Sequence, residues 1–191
     1  SMTVICLMLL LAIGITASAV GLNNTVEQMA EEELPQDANL VFYPAGEEPT
    51  DLPALLAEGG FDPETDCSFH LSFPVFRSEA GQAITQSVYD AFAGRWGQEA
   101  ADTFLTREGL NVRPDGEAQG AYVNYWYFLA DYAGDKNAAE TRFQEVVSTL
   151  GELGSYSCTT RLETWLELLG TKVLVVFMGL YLGVVFLLAS A

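Results

Sequence analysis

The sequence predicts an α+β fold: a mixed sheet with packed helices in an extracytoplasmic domain, carried on two long transmembrane or stalk helices. Three observations lead there. Residues 3–20 (TVICLMLLLAIGITASAV) and 173–191 (VLVVFMGLYLGVVFLLASA) contain no charge and stand at the two ends of the 191-residue chain. Between them, segments with apolar residues at period two alternate with segments at helical spacing. The order strand, helix, strand closes the central region, which suits a sheet and helices packed around one core.

The two terminal runs, at about 1.5 Å per residue, reach roughly 27 and 28 Å, near the thickness of a bilayer's hydrocarbon core. They divide the chain into a transmembrane helix over 1–21, an extracytoplasmic α+β domain with helical stalks over 22–171, and a truncated transmembrane helix over 172–191. The first run has a rival reading, because Ala17-Ser18-Ala19 resembles a signal-peptidase site. Only Ser1 and Met2 precede the apolar stretch, so a basic leader region is missing. Neither end carries a polar flank. The expectation is a piece cut from a longer polytopic protein.

Past the first run, Leu22, Val26, Met29 and Ala30 share a helical face, and no Gly or Pro intervenes before Pro35. This extends the helix outward as a stalk to about Glu33. Residues 39–45 (NLVFYPA) form a short strand, and Asp51 caps a short helix that Gly59 or Gly60 ends. In residues 67–77 (CSFHLSFPVFR), Cys67, Phe69, Leu71, Phe73 and Val75 fall on one face. Ser68, His70 and Ser72 fall on the other, and Pro74 points to a sheet edge or a bulge. Ile84, Val88, Phe92 and Trp96 predict an amphipathic helix over 82–96. A shorter helix follows over 98–108, then a loop over 109–120.

The clearest strand is 121–132 (AYVNYWYFLADY). Tyr122, Trp126, Phe128 and Ala130 share one face; Val123, Tyr125, Tyr127 and Leu129 share the other. With both faces apolar it should lie inside the sheet. Asp135 then caps a helix whose Ala139, Phe143, Val146, Val147 and Leu150 make a core stripe, ended by Gly151 and Gly154. Residues 155–159 supply a last strand containing Cys158. Thr160-Arg161-Leu162-Glu163 matches a capping box and starts a helix that runs on into the second apolar run.

Charge sets the environment. The chain holds 26 acidic and 8 basic residues, all between Glu27 and Lys172, for a net charge of −18. Hydrophobic residues make up 50%, and mean hydropathy is +0.20. A large acidic loop is compatible with translocation. The charge disfavours nucleic acid and anionic membrane surfaces; it permits attraction of a cationic peptide, or simply keeps a surface domain soluble.

Candidate sites are few. Cys67 and Cys158 are the two thiols of the central domain; outside the cytoplasm they could close a long loop as a disulfide, or stay reduced and buried. Cys6 falls in the first apolar run as a small hydrophobe. Gly179 and Gly183 form a Gly-x-x-x-Gly pair that permits close helix packing, although the motif is common in membrane helices by composition alone. His70, the sole histidine, lacks further ligands at metal spacing. Asp62, Glu64 and Asp66 lack the calcium-loop pattern and read as a solvated loop. Asn23-Asn24-Thr25 matches a glycosylation acceptor but lies one turn from the first run. No catalytic constellation, cofactor motif or metal site is present in the sequence, and the ligand is not specified by it.

A family resemblance adds to this. The segment 160–191, with Thr171-Lys172, Tyr181-Leu182-Gly183 and Ala189-Ser190-Ala191, resembles the stretch entering a membrane helix in FtsX-like permeases of ABC transporters. The large firmicute permeases of the BceB type are the closer resemblance. Phe128-Leu129-Ala130-Asp131-Tyr132 followed by Gly134-Asp135-Lys136 is similar to a strand-turn-helix late in their external domain, and ITASAVGLNN to the membrane helix before it. Over 35–120 the match is weak. The resemblance implies a non-enzymatic, multi-pass permease subunit in the cell membrane. Its partners would be further membrane helices and a separate ATP-binding cassette subunit that hydrolyses ATP, and its external domain would recognise a peptide, lipid-linked or protein ligand. A membrane-anchored surface binding protein and the input domain of a sensor kinase are the alternatives.

Overall fold

The computed structural model describes residues 21, 25–26, 28–30, 34–45, 51–78, 81–118 and 122–189. The contacts separate two compact units, one of Pro35–Thr160 and one of Ser1–Leu34 with Arg161–Ala191.

The first unit is an α+β lobe built on a six-stranded mixed sheet. Its strands are β1 (Ala38–Pro44), β2 (Cys67–Ser78), β3 (Gly81–Thr85), β4 (Leu110–Arg113), β5 (Tyr122–Tyr132) and β6 (Gly154–Thr160). They lie in the order β4-β3-β2-β5-β1-β6, and among the described residues only the β3–β4 pair is parallel. The helices are α1 (Leu52–Glu58), α2 (Pro63–Asp66), α3 (Gln86–Trp96), α4 (Gln98–Glu108) and α5 (Lys136–Thr149).

Strand β5 organises both cores. Trp126 to Ala130 are partnered by β1 on one side and β2 on the other. Phe128, Ala130 and Tyr132 meet Leu52 and Leu56 of α1 and Phe143 and Val147 of α5. Tyr125, Tyr127 and Leu129 meet Phe92 of α3 and Ala101 and Phe104 of α4. The strand is apolar on both faces because helices cover both. Each large side chain fully buried there contributes roughly 2–3 kcal/mol of burial free energy.

Local signals set the helix ends. The Asp51 carboxylate accepts the Ala54 amide at 3.2 Å, and Asp135 accepts those of Asn137 and Ala138 at 3.1 and 3.3 Å. Both caps stand where the sequence puts them.

Three expectations need correction. Residues 82–85 are strand β3, not the start of a helix; Ile84 and Val88 enter the same core, one from a strand and one from α3. Their spacing of four imitates a helical stripe. Gly81, at φ 108°, turns the chain back along β2. Within the expected loop 109–120, Leu110–Arg113 forms β4 beside β3, after Gly109 ends α4 in the left-handed region at φ 64°. Finally, Cys67 does not share a face with Phe73 and Val75. A bulge between Cys67 and Phe69 moves it to the α5 side of the sheet.

In the second unit, α6 (Arg161–Ala189) is one uninterrupted helix. Residues 21, 25–26 and 28–30 are helical, and Val26, Ala30 and Leu34 are buried at spacings of four. Arg161 Nε donates to the Leu34 carbonyl at 3.2 Å, and Lys172 Nζ to Met29 Sδ at 2.8 Å. Among the described residues no helix is long and apolar enough to cross a membrane. Of the expected first membrane helix over 1–21, residues 1–20 lie outside the described residues.

A Cβ at Gly154 would stand 2.2 Å from the Tyr43 carbonyl oxygen, a backbone atom of the neighbouring strand. Gly154→Ala is therefore expected to lower stability by about 1–3 kcal/mol in urea unfolding, the usual cost of overpacking. An unchanged midpoint would show that β6 does not lie this close to β1.

Candidate functional site

The lobe is closed where the chain enters and leaves it. Ala38 pairs with Ala130 of β5 on one side and with Thr160 of β6 on the other. The first and last strands thus run side by side, one strand spacing of about 5 Å apart. Asp37, only 5% exposed, accepts the Tyr132 amide at 2.9 Å and the Lys136 ammonium at 2.9 Å. That carboxylate ties the start of β1 to the end of β5 and the first turn of α5. A buried carboxylate is tolerated there because a charge and a backbone donor both meet it.

A tyrosine cluster occupies the α3/α4 side of the sheet. Tyr43 of β1 is 43% exposed, and its ring stands 5.0 Å from that of Tyr125. The Tyr125 hydroxyl donates to Gln82 Oε1 at 2.7 Å. The Tyr127 hydroxyl donates to Glu108 Oε2, while Glu108 Oε1 accepts Arg107 Nε at 3.1 Å. Burial pushes the Tyr125 phenol up to about 12, with Tyr43 and Glu108 adding to it; burial and the Glu108 bond push Tyr127 up as well. Both phenols are therefore fixed donors near neutral pH. Beyond Tyr43, Ser155, Ser157 and Thr159 of β6 are exposed. This strip presents rings, hydroxyls and a strand edge side by side.

The predicted site residues fare differently. Cys67 and Cys158 are not bridged: β5 and β1 separate their strands, so they stand three strand spacings apart, about 14 Å across the sheet alone, and their register partners on β5, Tyr132 and Phe128, differ as well. A disulfide needs Cα atoms within about 7 Å. The Cys67 thiol is pushed up to about 12, first by burial and then by Asp66, Asp131, Asp37 and Asp62. A thiol so placed stays protonated and unreactive. Gly179 and Gly183 fall within α6, but their surroundings lie outside the described residues. So do Asn23 and Asn24.

His70 stacks on Phe128 at 5.8 Å and faces Glu64 at 3.8 Å. Asp62 caps α2 through the Glu64 amide at 3.0 Å, and its own amide donates to Asp66 Oδ2 at 3.1 Å. Asp66 also pairs with Arg142. These acids are engaged in local structure. Among the described residues no group of three or more His, Cys, Asp or Glu side chains could hold a metal ion.

The lobe's cations are largely engaged too. Arg95 pairs with Asp131 at 3.0 Å and Arg113 with Glu117 at 3.3 Å, beside the pairs of Arg107, Lys136 and Arg142. With 26 acids against 8 bases in the chain, the remaining field is negative. Asp37, Tyr43 and Glu108 were not among the residues predicted from sequence.

No protein-family model matches the chain, and no curated protein or solved structure matches it.

Digestion under non-reducing conditions should yield separate peptides for Cys67 and Cys158, with Cys67 resisting alkylation until the chain is unfolded. A cross-linked peptide containing both would contradict the strand order. The raised phenols and thiol also set a pH dependence. The folded state holds these protons more tightly than the unfolded state, so their contribution is intact below the ordinary values of 9.0 and 10.0 and is lost as pH rises toward about 12. Urea midpoints should fall above about pH 9–10, and less steeply in Tyr125→Phe. A flat profile to pH 12 would contradict the burial of these groups.

Proposed function

We propose that this chain is the extracytoplasmic domain of an FtsX-like ABC transporter permease subunit, together with the helices that flank it. The domain recognises a peptide, lipid-linked or protein ligand and passes its occupancy to the membrane helices; ATP hydrolysis belongs to a separate subunit. The single observation that carries this reading is the direct pairing of β1 with β6. A lobe whose first and last strands are neighbours has its entry and exit side by side, which suits a domain inserted between two helices. The support for membrane runs is the sequence itself: residues 3–20 and 173–191 are uncharged and of about bilayer length. An acidic lobe of this size is compatible with translocation. The resemblance over 160–191 points to this permease class.

Two measurements test the reading in cells expressing the protein. Externally added protease should cut the lobe in intact cells. Gentle detergent extraction should recover an ATP-binding cassette subunit with it. A lobe cut only after the cells are lysed, or recovery with a histidine kinase core instead, would overturn the reading.

A further inference from the structure

Strand β6 lies at the end of the sheet, and among the described residues no strand pairs with its outer side. Its sequence, Gly154-Ser155-Tyr156-Ser157-Cys158-Thr159-Thr160, contains no charged residue and no proline. These are the devices by which proteins keep edge strands from pairing with other chains. Ser155, Ser157 and Thr159 are exposed on one face, and Tyr156 is 39% exposed on the other. Seven residues in unbroken register with β1 make this edge straight and continuous. At the opposite margin, β4 has only four residues.

We propose that β6 is a docking edge for an extended, lysine- or arginine-bearing segment of a partner protein, which adds to the sheet as a further strand. The affinity comes from main-chain hydrogen bonds along the edge, and alternate side chains of the added strand fall over the two faces. On one face they meet Tyr43 and the hydroxyls of Ser155, Ser157 and Thr159; on the other they meet Tyr156. Charge decides the occupant. The chain carries −18, and the ion pairs described above engage Arg95, Arg107, Arg113, Lys136 and Arg142. A second copy pairing β6 to β6 would bring an equal negative charge to the interface, whereas a basic segment lowers the repulsion and is steered toward the edge. The inference names a partner class for the proposed recognition domain, but it rests on the lobe alone and holds whichever membrane machinery the lobe serves.

The test uses the full chain in detergent micelles and a short fluorescent peptide of alternating threonine and lysine. The peptide should bind, and it should slow amide exchange at residues 155–159. Ser157→Lys, at an exposed position that leaves the core untouched, should weaken binding by at least about tenfold, because a lysine on the edge both repels the peptide and blunts strand addition. A peptide of the same sequence with N-methylated alternate residues keeps its charge but loses the ladder donors, and should bind at least about tenfold more weakly. Equal binding by the methylated peptide would overturn the proposal in favour of charge alone. So would concentration-dependent dimerisation of the chain that Ser157→Lys abolishes while the peptide fails to bind, since the occupant would then be a second copy. Protease results in intact cells leave this outcome unaffected, so the two readings fail separately.

Discussion

The architecture depends on the pairing of β1 with β6, the first and last strands of the lobe. Over seven register positions, from Ala38 with Thr160 to Pro44 with Gly154, this ladder brings together segments more than a hundred residues apart in sequence. Bringing such distant segments together costs loop entropy that a doubled length raises by only about 0.6 kcal/mol. The packing of β5 against two helix layers readily offsets a cost of that size. Once β1 sits between β5 and β6, Ala38 and Thr160 stand opposite each other at one end of the sheet. Asp37 reinforces the arrangement by binding the Tyr132 amide and the Lys136 ammonium from the residue just before β1.

Electrostatics and packing divide the work. The interior is a pair of apolar cores rich in aromatic contacts, such as Phe61 with Phe143 at 5.2 Å and Phe92 with Phe104 at 5.0 Å. Edge-to-face and offset pairs of this kind add to simple burial. The acidic groups sit mainly at helix caps, in ion pairs or on the surface, where they cost little in stability and give the lobe its long-range negative field. The Cys67 thiol and the phenols of Tyr125, Tyr127 and Tyr132 are kept protonated first by burial. The surface that results presents aromatic rings, hydroxyl groups and a strand edge.

Much of this was legible in the sequence because local and global preferences agree. The double-sided apolar pattern of β5, the caps Asp51 and Asp135, and the stripe from Ala139 to Leu150 each admit one structural solution. The failures have physical causes. Ile84 and Val88 carry helical spacing, yet pairing with β2 and β4 draws residues 82–85 into the sheet, a tertiary override of periodicity. The bulge beside Ser68 changes the face of Cys67, and a two-residue alternation cannot reveal it. Strand order, which separates Cys67 from Cys158, is not written in any local pattern. For the same reason the cluster of Tyr43, Tyr125, Tyr127 and Glu108 stayed hidden, since its members come from three elements distant in sequence.

The most direct test of the central claim is a cross-link between register partners. Tyr43 and Ser155 face each other across β1 and β6, and both are exposed. In the double variant Tyr43→Cys and Ser155→Cys, mild oxidation should join the two positions in high yield, because directly opposed strand residues fall within about 5.5 Å, the range a disulfide spans. Mass spectrometry of the digested chain should find that linked peptide in the folded protein and lose it under denaturant. Failure to form it in the folded chain, or preferential linkage of either cysteine to another strand, would contradict the closed lobe.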